Sequence, residues 1–378
     1  MKVLHLISGG DTGGAKTHII SLLKGLNKLI DTKIICFIED TFYTDAKAEG
    51  LNIEVYKQKS RSDMSVITRL ADEIAKEDYQ VIHCHGARAN FIAMFLRHKI
   101  KKPMITTMHS DYKLDFKDNF YKRIIYTTLN TVALKKFKYF IAISDTFKEM
   151  LVERGFNSDS IFVAYNGIDF DSDLDYASKN SFLSRYNIEA ADKKIVGIMA
   201  RLDLVKDHEA FIKAADKILK DRKDIKFLIA GEGNLDSKLK DMVSELGIED
   251  NVHFLGFVKD MNSFFNAIDI NVLCSASESF PYVILEGARM SKPIISTNVG
   301  GIANLVRDGF NGYLFDVGEY DALAKRIITL VDNKELLEKM GKELYNNAKE
   351  NFSYDSMAKT HLEIYKKIVK SEELRTKS

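Results

Sequence analysis

The sequence predicts an α/β fold of two doubly wound, Rossmann-like domains. Three observations lead there. The chain has 378 residues, too many for one ordinary core and enough for two domains of roughly 150–200 residues each. Short apolar runs alternate with amphipathic stretches through both halves, the pattern of a parallel sheet covered on both faces. The alternation is interrupted once, around 166–180, where the turn signal Asn166-Gly167-Ile-Asp169 leads into a polar segment carrying Asp171, Asp173 and Asp175.

In the first half, strands are expected at Val3–Ile7, Lys33–Ile38, Ile53–Tyr56, Val81–Cys84, Met104–Thr107, Tyr139–Ile143 and Ile161–Ala164. Apolar residues at helical spacing predict helices over Thr17–Leu29, Val66–Ala75, Ala89–Arg97, Phe120–Lys136 and Phe147–Arg154. A second series of strands begins at Ile195–Ala200 and continues at Lys226–Ala230, Val252–Leu255, Ile268–Leu273 and Pro293–Ser296. Met357, Leu362, Ile364, Tyr365 and Ile368 then give a last amphipathic helix over Tyr354–Lys370. The expected domains are 1–170, joined by the final helix at about 354–372, and 171–353.

A hydrophobic fraction of 46% and a charged fraction of 29% are those of a globular protein in water. No apolar run approaches the roughly 18 residues needed to span a bilayer. Met1 to Ile7 soon meets Gly9-Gly10 and reads as a first strand, not a secretion signal. Cys36, Cys84 and Cys274 all lie inside apolar runs, as buried thiols of a reducing, cytoplasmic compartment would. The net charge of +1 hides an asymmetry. Through residue 165 there are 25 Lys and Arg against 19 Asp and Glu; the remainder has 30 against 35. A near-neutral total without a recognition motif argues against nucleic acid. The basic half suits an anionic lipid surface or a phosphate-linked partner, although an unevenly charged solvated surface would look the same.

The most informative stretch runs from Ser275 to Gly301. Glu278 and Glu286 stand eight positions apart with Pro281 between them. Because Pro favours the first turn of a helix, Glu278 belongs in a loop and Glu286 one to two turns into a helix. Strand-like runs flank both, so the acids belong to a βαβ unit at the strand C-terminal edge, where open parallel sheets bind ligands. Two carboxylates there can hold several hydroxyls at once. Alternatively, they are solvated acids around a core helix.

The surrounding residues carry a resemblance. Glu278-Ser-Phe-Pro-Tyr-Val-Ile-Leu-Glu286-Gly-Ala resembles the acid–seven–acid signature of the retaining glycosyltransferases of family 4. Gly13-Gly14-Ala15, His109 in Thr107-Met-His109, Ile141-Ala-Ile-Ser144, Asn166-Gly-Ile-Asp169, Ala200-Arg201-Leu202 with Lys206, Ala230-Gly231-Glu-Gly233, Phe254-Leu-Gly256 and Gly309-Phe-Asn-Gly312 agree in order and spacing. The resemblance covers residues 1 to about 370. It implies the GT-B fold, two Rossmann-like domains facing across a cleft with the final helix crossing back to the first. It also implies transfer of a sugar from a UDP- or GDP-sugar to an acceptor hydroxyl with retention of configuration and no metal cofactor.

Residue by residue, the resemblance implies a donor site of Gly13, Gly14, Gly231, Phe280, Pro281, Tyr282, Val283 and Glu286, the last accepting hydrogen bonds from the ribose. Arg201 and Lys206 would neutralise the leaving diphosphate, and Glu278 would hold the sugar hydroxyls. His109 would stabilise positive charge at the anomeric carbon, or be a polar loop histidine. Gly14, His85 and Ser144 would line the acceptor cleft. The implied acceptor is a glycan or a lipid-linked intermediate. An anionic membrane would be met by Lys99, Lys101, Lys102, Lys113, Lys117, Lys122, Arg123, Lys135, Lys136 and Lys138. Two rival readings are a non-catalytic nucleotide-sugar-binding subunit and an epimerase on the same fold.

His83 and His85 flank Cys84 and share a strand face, but no third zinc ligand is indicated nearby, so no metal site is expected. Asp169, Asp171, Asp173 and Asp175 lie in the linker, where solvated charges or helix caps are the usual role. Two departures from the family stand out: Asp207 where Gly is common, and Asn304 where Glu is usual.

Overall fold

The computed structural model describes residues 1–10, 13–60, 63–109, 111, 120–189 and 192–377. The chain divides into two compact units, Met1–Gly167 with Ser353–Ser378, and Ile168–Phe352.

Unit 1 begins β1 (Lys2–Ile7), α1 (Gly13–Leu26), β2 (Asp31–Cys36), α2 (Thr41–Ala48), β3 (Ile53–Val55), α3 (Ser65–Lys76) and β4 (Val81–His85). It continues through α4 (Gly86–Leu96), β5 (Met104–Met108), α5 (Phe120–Leu134), β6 (Tyr139–Ala142), α6 (Asp145–Glu153) and β7 (Ile161–Val163). The seven strands are parallel, in the order β3-β2-β1-β4-β5-β6-β7. The strand order reverses between β1 and β4, where His5 lies opposite His83 and Ile7 opposite His85. Both faces are covered, so β1 and β4 are almost wholly buried, the histidines within their apolar runs included.

Unit 2 comprises α7 (Lys179–Ser184), β8 (Lys194–Met199), α8 (His208–Leu219), β9 (Ile225–Ala230), α9 (Asp236–Glu245), β10 (Val252–Gly256), α10 (Met261–Ala267) and β11 (Ile270–Leu273). It ends with α11 (Tyr282–Arg289), β12 (Ile294–Thr297), α12 (Ile302–Leu305), β13 (Gly312–Phe315), α13 (Tyr320–Val331) and α14 (Lys334–Asn351). Its six parallel strands run β10-β9-β8-β11-β12-β13, reversing between β8 and β11.

The last helix, α15 (Tyr354–Lys377), belongs to unit 1. Met357, Ile364, Tyr365 and Ile368 join Val3, Ile7, Leu22 and Leu23 in one core against α1. Each fully buried Leu or Ile contributes roughly 1.5–3 kcal/mol, so the helix is an integral layer of that unit.

The helices α2, α7, α12, α13 and α14 and the strand β13 were not anticipated from sequence. α2 is short and is started by Asp40, whose side chain accepts from the Thr41 N–H. β13 is four residues bounded by a glycine turn. The expected strand at Ile268 begins two residues later, at Ile270. In the linker, Asp169 accepts from the Asp171 and Ser172 N–H groups, and Asp171 pairs with Lys349 at 2.7 Å.

Candidate active site

The reversal point of unit 2 gathers the residues following β8 and β11. The loop after β8 carries Arg201 and a short 3-10 turn, Leu204–Lys206, capped by the Asp203 carboxylate. The loop after β11 carries Ser275 and Glu278. The Ala276 N–H donates to the Val205 carbonyl at 2.8 Å, tying the two loops together. Across this tie the Lys206 ammonium donates to Glu278 Oε1 at 2.5 Å, and the Ser275 hydroxyl donates to the same oxygen at 2.6 Å. The pair is well enclosed, with side-chain exposures of 19% for Lys206 and 9% for Glu278. Arg201 stands in solvent, its guanidinium on Asp203 at 2.9 Å.

Backbone geometry fixes this arrangement. Gly300 has φ +57°, and a Cβ there would lie 1.7 Å from the Glu278 carbonyl oxygen. The loop after β12 therefore closes on the Glu278 loop through a bare backbone, and the Gly301 N–H donates to the Ser279 carbonyl at 2.9 Å. Gly231, at φ +144°, similarly lets the end of β9 pass the Ala200 carbonyl, whose oxygen would lie 1.9 Å from a Cβ placed there. Asp207 sits at φ 44°, ψ 54° and caps α8 through the Ala210 N–H. That left-handed conformation is the reason glycine suits the position; a short, capping Asp tolerates it.

Pro281 is the residue before α11, with an extended backbone and no side-chain cap, so the helix N-terminus presents open N–H groups from Tyr282 and Val283. Glu286 lies on the second turn. Burial raises its pKa from 4.5 to about 7, with Arg289 pulling the other way. Arg289 is itself held by the Asp169 carbonyl and the Asn262 side chain, at 3.1 and 2.8 Å. The Phe280 ring is buried against Phe352, with centroids 5.1 Å apart, so only its backbone can meet a ligand.

Unit 1 holds a different constellation at its own reversal point. His5 on β1, His18 on α1, His83 and His85 on β4, His109 after β5 and His361 on α15 pack ring against ring, with neighbouring centroids 4.1 to 6.4 Å apart. Five of the six are buried and His109 is half-buried. Desolvation drives every one below the ordinary imidazole value, His5 and His361 to about 3 and His18 to about 4. All six are therefore neutral at pH 7. His83 is tied to the Tyr365 hydroxyl at 2.6 Å and to Thr107 Oγ1 at 2.7 Å. The expectation that His83 and His85 lack further imidazoles nearby is wrong: β1 delivers His5 beside them, and α1 and the end of β5 bring His18 and His109.

Residues 182–347 match the glycosyl transferases group 1 family and residues 12–172 match Glycosyltransferase Family 4. The chain belongs to the family-4 glycosyltransferases. This glycosyltransferase is 28% identical over 348 residues to the uncharacterized glycosyltransferase MJ1607 of Methanocaldococcus jannaschii, covering 84% of this chain and 86% of that protein. It is 24% identical over 297 residues to UDP-Gal:alpha-D-GlcNAc-diphosphoundecaprenol alpha-1,3-galactosyltransferase of Escherichia coli, covering 77% and 76%. The crystal structure of Anabaena Alr3699/HepE in complex with UDP-glucose superposes with a TM-score of 0.79 at 21% identity, covering 97% of this glycosyltransferase and all of that chain. The shared architecture is GT-B.

Within unit 2 of the glycosyltransferase, Lys206 and Glu278 meet directly, with Arg201 on the same loop as Lys206 and Glu286 on the helix that follows Glu278. Gly13 and Gly14 open α1 and are exposed. Ser144 is fully buried and its hydroxyl accepts from the Phe147 N–H, so it caps α6. His85 is buried, with its Nε2 3.0 Å from His5 Nδ1 and its Nδ1 3.3 Å from His109 Nε2. The sequence reading missed Asp203 and Ser275, which hold Arg201 and Glu278, and Arg289 beside Glu286. A carboxylate and a hydroxyl immediately past two strand ends were the available signal. Lys113 and Lys117 lie outside the described residues, as do the side chains of Lys122 and Arg123.

Proposed function

We propose that this glycosyltransferase moves a hexose from a UDP- or GDP-sugar to an acceptor hydroxyl, with retention and without a metal. The observation that carries the reading is the enclosed Lys206–Glu278 pair, braced by Ser275 at the reversal point of unit 2. Parallel sheets bind ligands at that point, and the UDP-glucose complex of the fold neighbour agrees with a nucleotide-sugar donor. Lys206 and Arg201 take up the charge growing on the leaving diphosphate, while the α11 N-terminus adds a favourable potential. Glu278 accepts from the sugar hydroxyls and Glu286 from the ribose. The donor brings its own good leaving group, so neither carboxylate is needed as a strong acid. The acceptor proton passes to the departing phosphate as the new glycosidic bond forms on the same face. His109, its imidazole neutral, stabilises positive charge at the anomeric carbon, and Gly14, His85 and Ser144 belong to the acceptor side.

For the acceptor we favour a growing glycan or lipid-linked intermediate reached at an anionic membrane face. Lys135 and Lys136 are exposed at the end of α5, beside exposed Leu129 and Val132, and Lys99 and Lys101 are exposed beyond α4. Basic residues near such a surface contribute about 1 kcal/mol each. The relative from Escherichia coli acts on a diphosphoundecaprenol-linked sugar. Among the described residues no helix is long and apolar enough to cross a membrane, so such an encounter is peripheral.

The test is release of nucleoside diphosphate from a panel of UDP- and GDP-sugars, with and without lipid-linked acceptors. Turnover of one donor is expected. Tight donor binding with no turnover against any acceptor would favour a non-catalytic subunit instead.

A further inference from the structure

We infer that His18, His85 and His109 form a binding site for one divalent first-row transition metal ion, with zinc the natural occupant. Imidazole is the right ligand for such an ion, and three of them leave an open position of the kind catalytic or regulatory sites keep. The three ligating nitrogens lie within 4.8 Å of one another. His85 Nδ1 and His109 Nε2 are 3.3 Å apart. That is long for a hydrogen bond between ring nitrogens. It matches the edge of a tetrahedron with metal–nitrogen bonds of about 2.0–2.1 Å, which works out at roughly 3.3–3.4 Å.

The surrounding bonds aim the lone pairs inward. His18 Nδ1 bonds Asn166 Oδ1 at 2.9 Å, so that nitrogen carries the proton and Nε2 carries the lone pair. His18 Nε2 is buried and has no hydrogen-bond partner among the described residues. An unpaired buried ring nitrogen forfeits its solvation, and a metal ion supplies what is missing. His85 Nε2 faces His5 Nδ1 at 3.0 Å, which can accept its proton and leave His85 Nδ1 for the ion. Metal-bound histidines characteristically donate their second nitrogen in this way. No carboxylate stands in the group, so the bound ion keeps its positive charge and favours hydroxide or another anion at the open position. Half-buried His109 lies on the accessible side. Occupancy also takes the lone pair of His109 and so opposes transfer, a consequence that rests on the function proposed above.

Cobalt(II) titration of the untagged full chain, read by visible absorption and by metal analysis after dialysis, tests the inference without any activity assay. One equivalent should bind with the intense ligand-field bands of four-coordinate cobalt, and zinc should displace it. His109→Ala should abolish the bands, and Asn166→Ala should weaken binding about 10- to 100-fold by freeing the His18 ring. His98→Ala, at an exposed histidine beyond α4, should change nothing. Zinc should also raise the thermal midpoint of the parent chain and not that of His109→Ala, which separates lost ligation from lost folding. Substoichiometric binding, octahedral cobalt spectra, or bands that survive in His109→Ala would overturn the site.

Discussion

The enclosed pair at the unit 2 reversal point allows structure and function to be separated by one mutant cycle. In Lys206→Met the Glu278 carboxylate, with a side chain only 9% exposed, keeps Ser275 but loses its cation. Stranding one partner of a buried pair costs 3–5 kcal/mol; with Lys206 itself 19% exposed, about 3 kcal/mol is expected here. Glu278→Gln strands the ammonium instead, which reaches solvent more easily, and should cost about 2 kcal/mol. The double variant leaves two neutral side chains in one enclosure. Its loss should be about 2 kcal/mol in place of the additive 5, a coupling of about 3 kcal/mol.

Urea unfolding followed by circular dichroism measures the four proteins; with no tryptophan in the chain, indole fluorescence is not an option. Sugar transfer is measured in parallel. Each single variant should lose roughly 10- to 100-fold in kcat/KM, the value of a hydrogen bond to a charged group. The double variant should recover stability and remain inactive, because both ligand contacts are gone. Additive losses below about 0.5 kcal/mol each would show a solvent-screened surface pair. Recovery of transfer together with stability would show that the pair is structural only, and the donor-site assignment would fall.

Glu286 supplies a pH signature. Its folded pKa is raised to about 7, so the folded chain holds a proton that the unfolded chain releases near 4.5. The associated stability is present below 4.5 and is lost as pH rises through 7; Glu286→Gln should remove that drift in unfolding midpoints. As ribose acceptor, Glu286 must be ionised, so calorimetry should show nucleotide affinity rising about tenfold per unit from pH 5 to 7 and then levelling. A flat profile in the parent chain removes Glu286 from the ribose site. Transfer should persist after dialysis against a chelator, and rescue of a chelator-killed enzyme by manganese or magnesium would refute the metal-free mechanism. Gly300→Ala forces a Cβ against the Glu278 carbonyl at a positive φ; it should cost about 1–3 kcal/mol in stability and reduce transfer, and an unchanged enzyme would refute that packing.

What could be read in advance follows from how a parallel sheet exposes its residues. Strands buried on both faces are mostly apolar, so β1, β4, β8 and β12 were visible as short apolar runs, whereas β13 has four residues beside a turn and offers no run to see. All parallel strands end on one edge, so Arg201, Lys206, Glu278 and His109, each just beyond a strand, could be nominated as site residues. Their partners could not. Lys206 reaches Glu278 across 72 positions only because β8 and β11 are neighbours at the reversal point, and strand order is not written in any local pattern. The histidine cluster was harder still. His83 and His85 share a face by alternation, but His5 lies within a strand otherwise made of core residues, and His361 lies on the final helix at the far end of the chain. A polar side chain inside an apolar run has no local explanation, since desolvating it costs stability unless something inside satisfies it. Six imidazoles meet where the unit 1 strand order reverses, and hydrogen bonds with their neighbours offset only part of that cost. Tyr365, Thr107 and Asn166 satisfy His83 and one nitrogen of His18, but His18 Nε2 has no hydrogen-bond partner among the described residues, so the ligand it calls for is one that accepts a nitrogen lone pair.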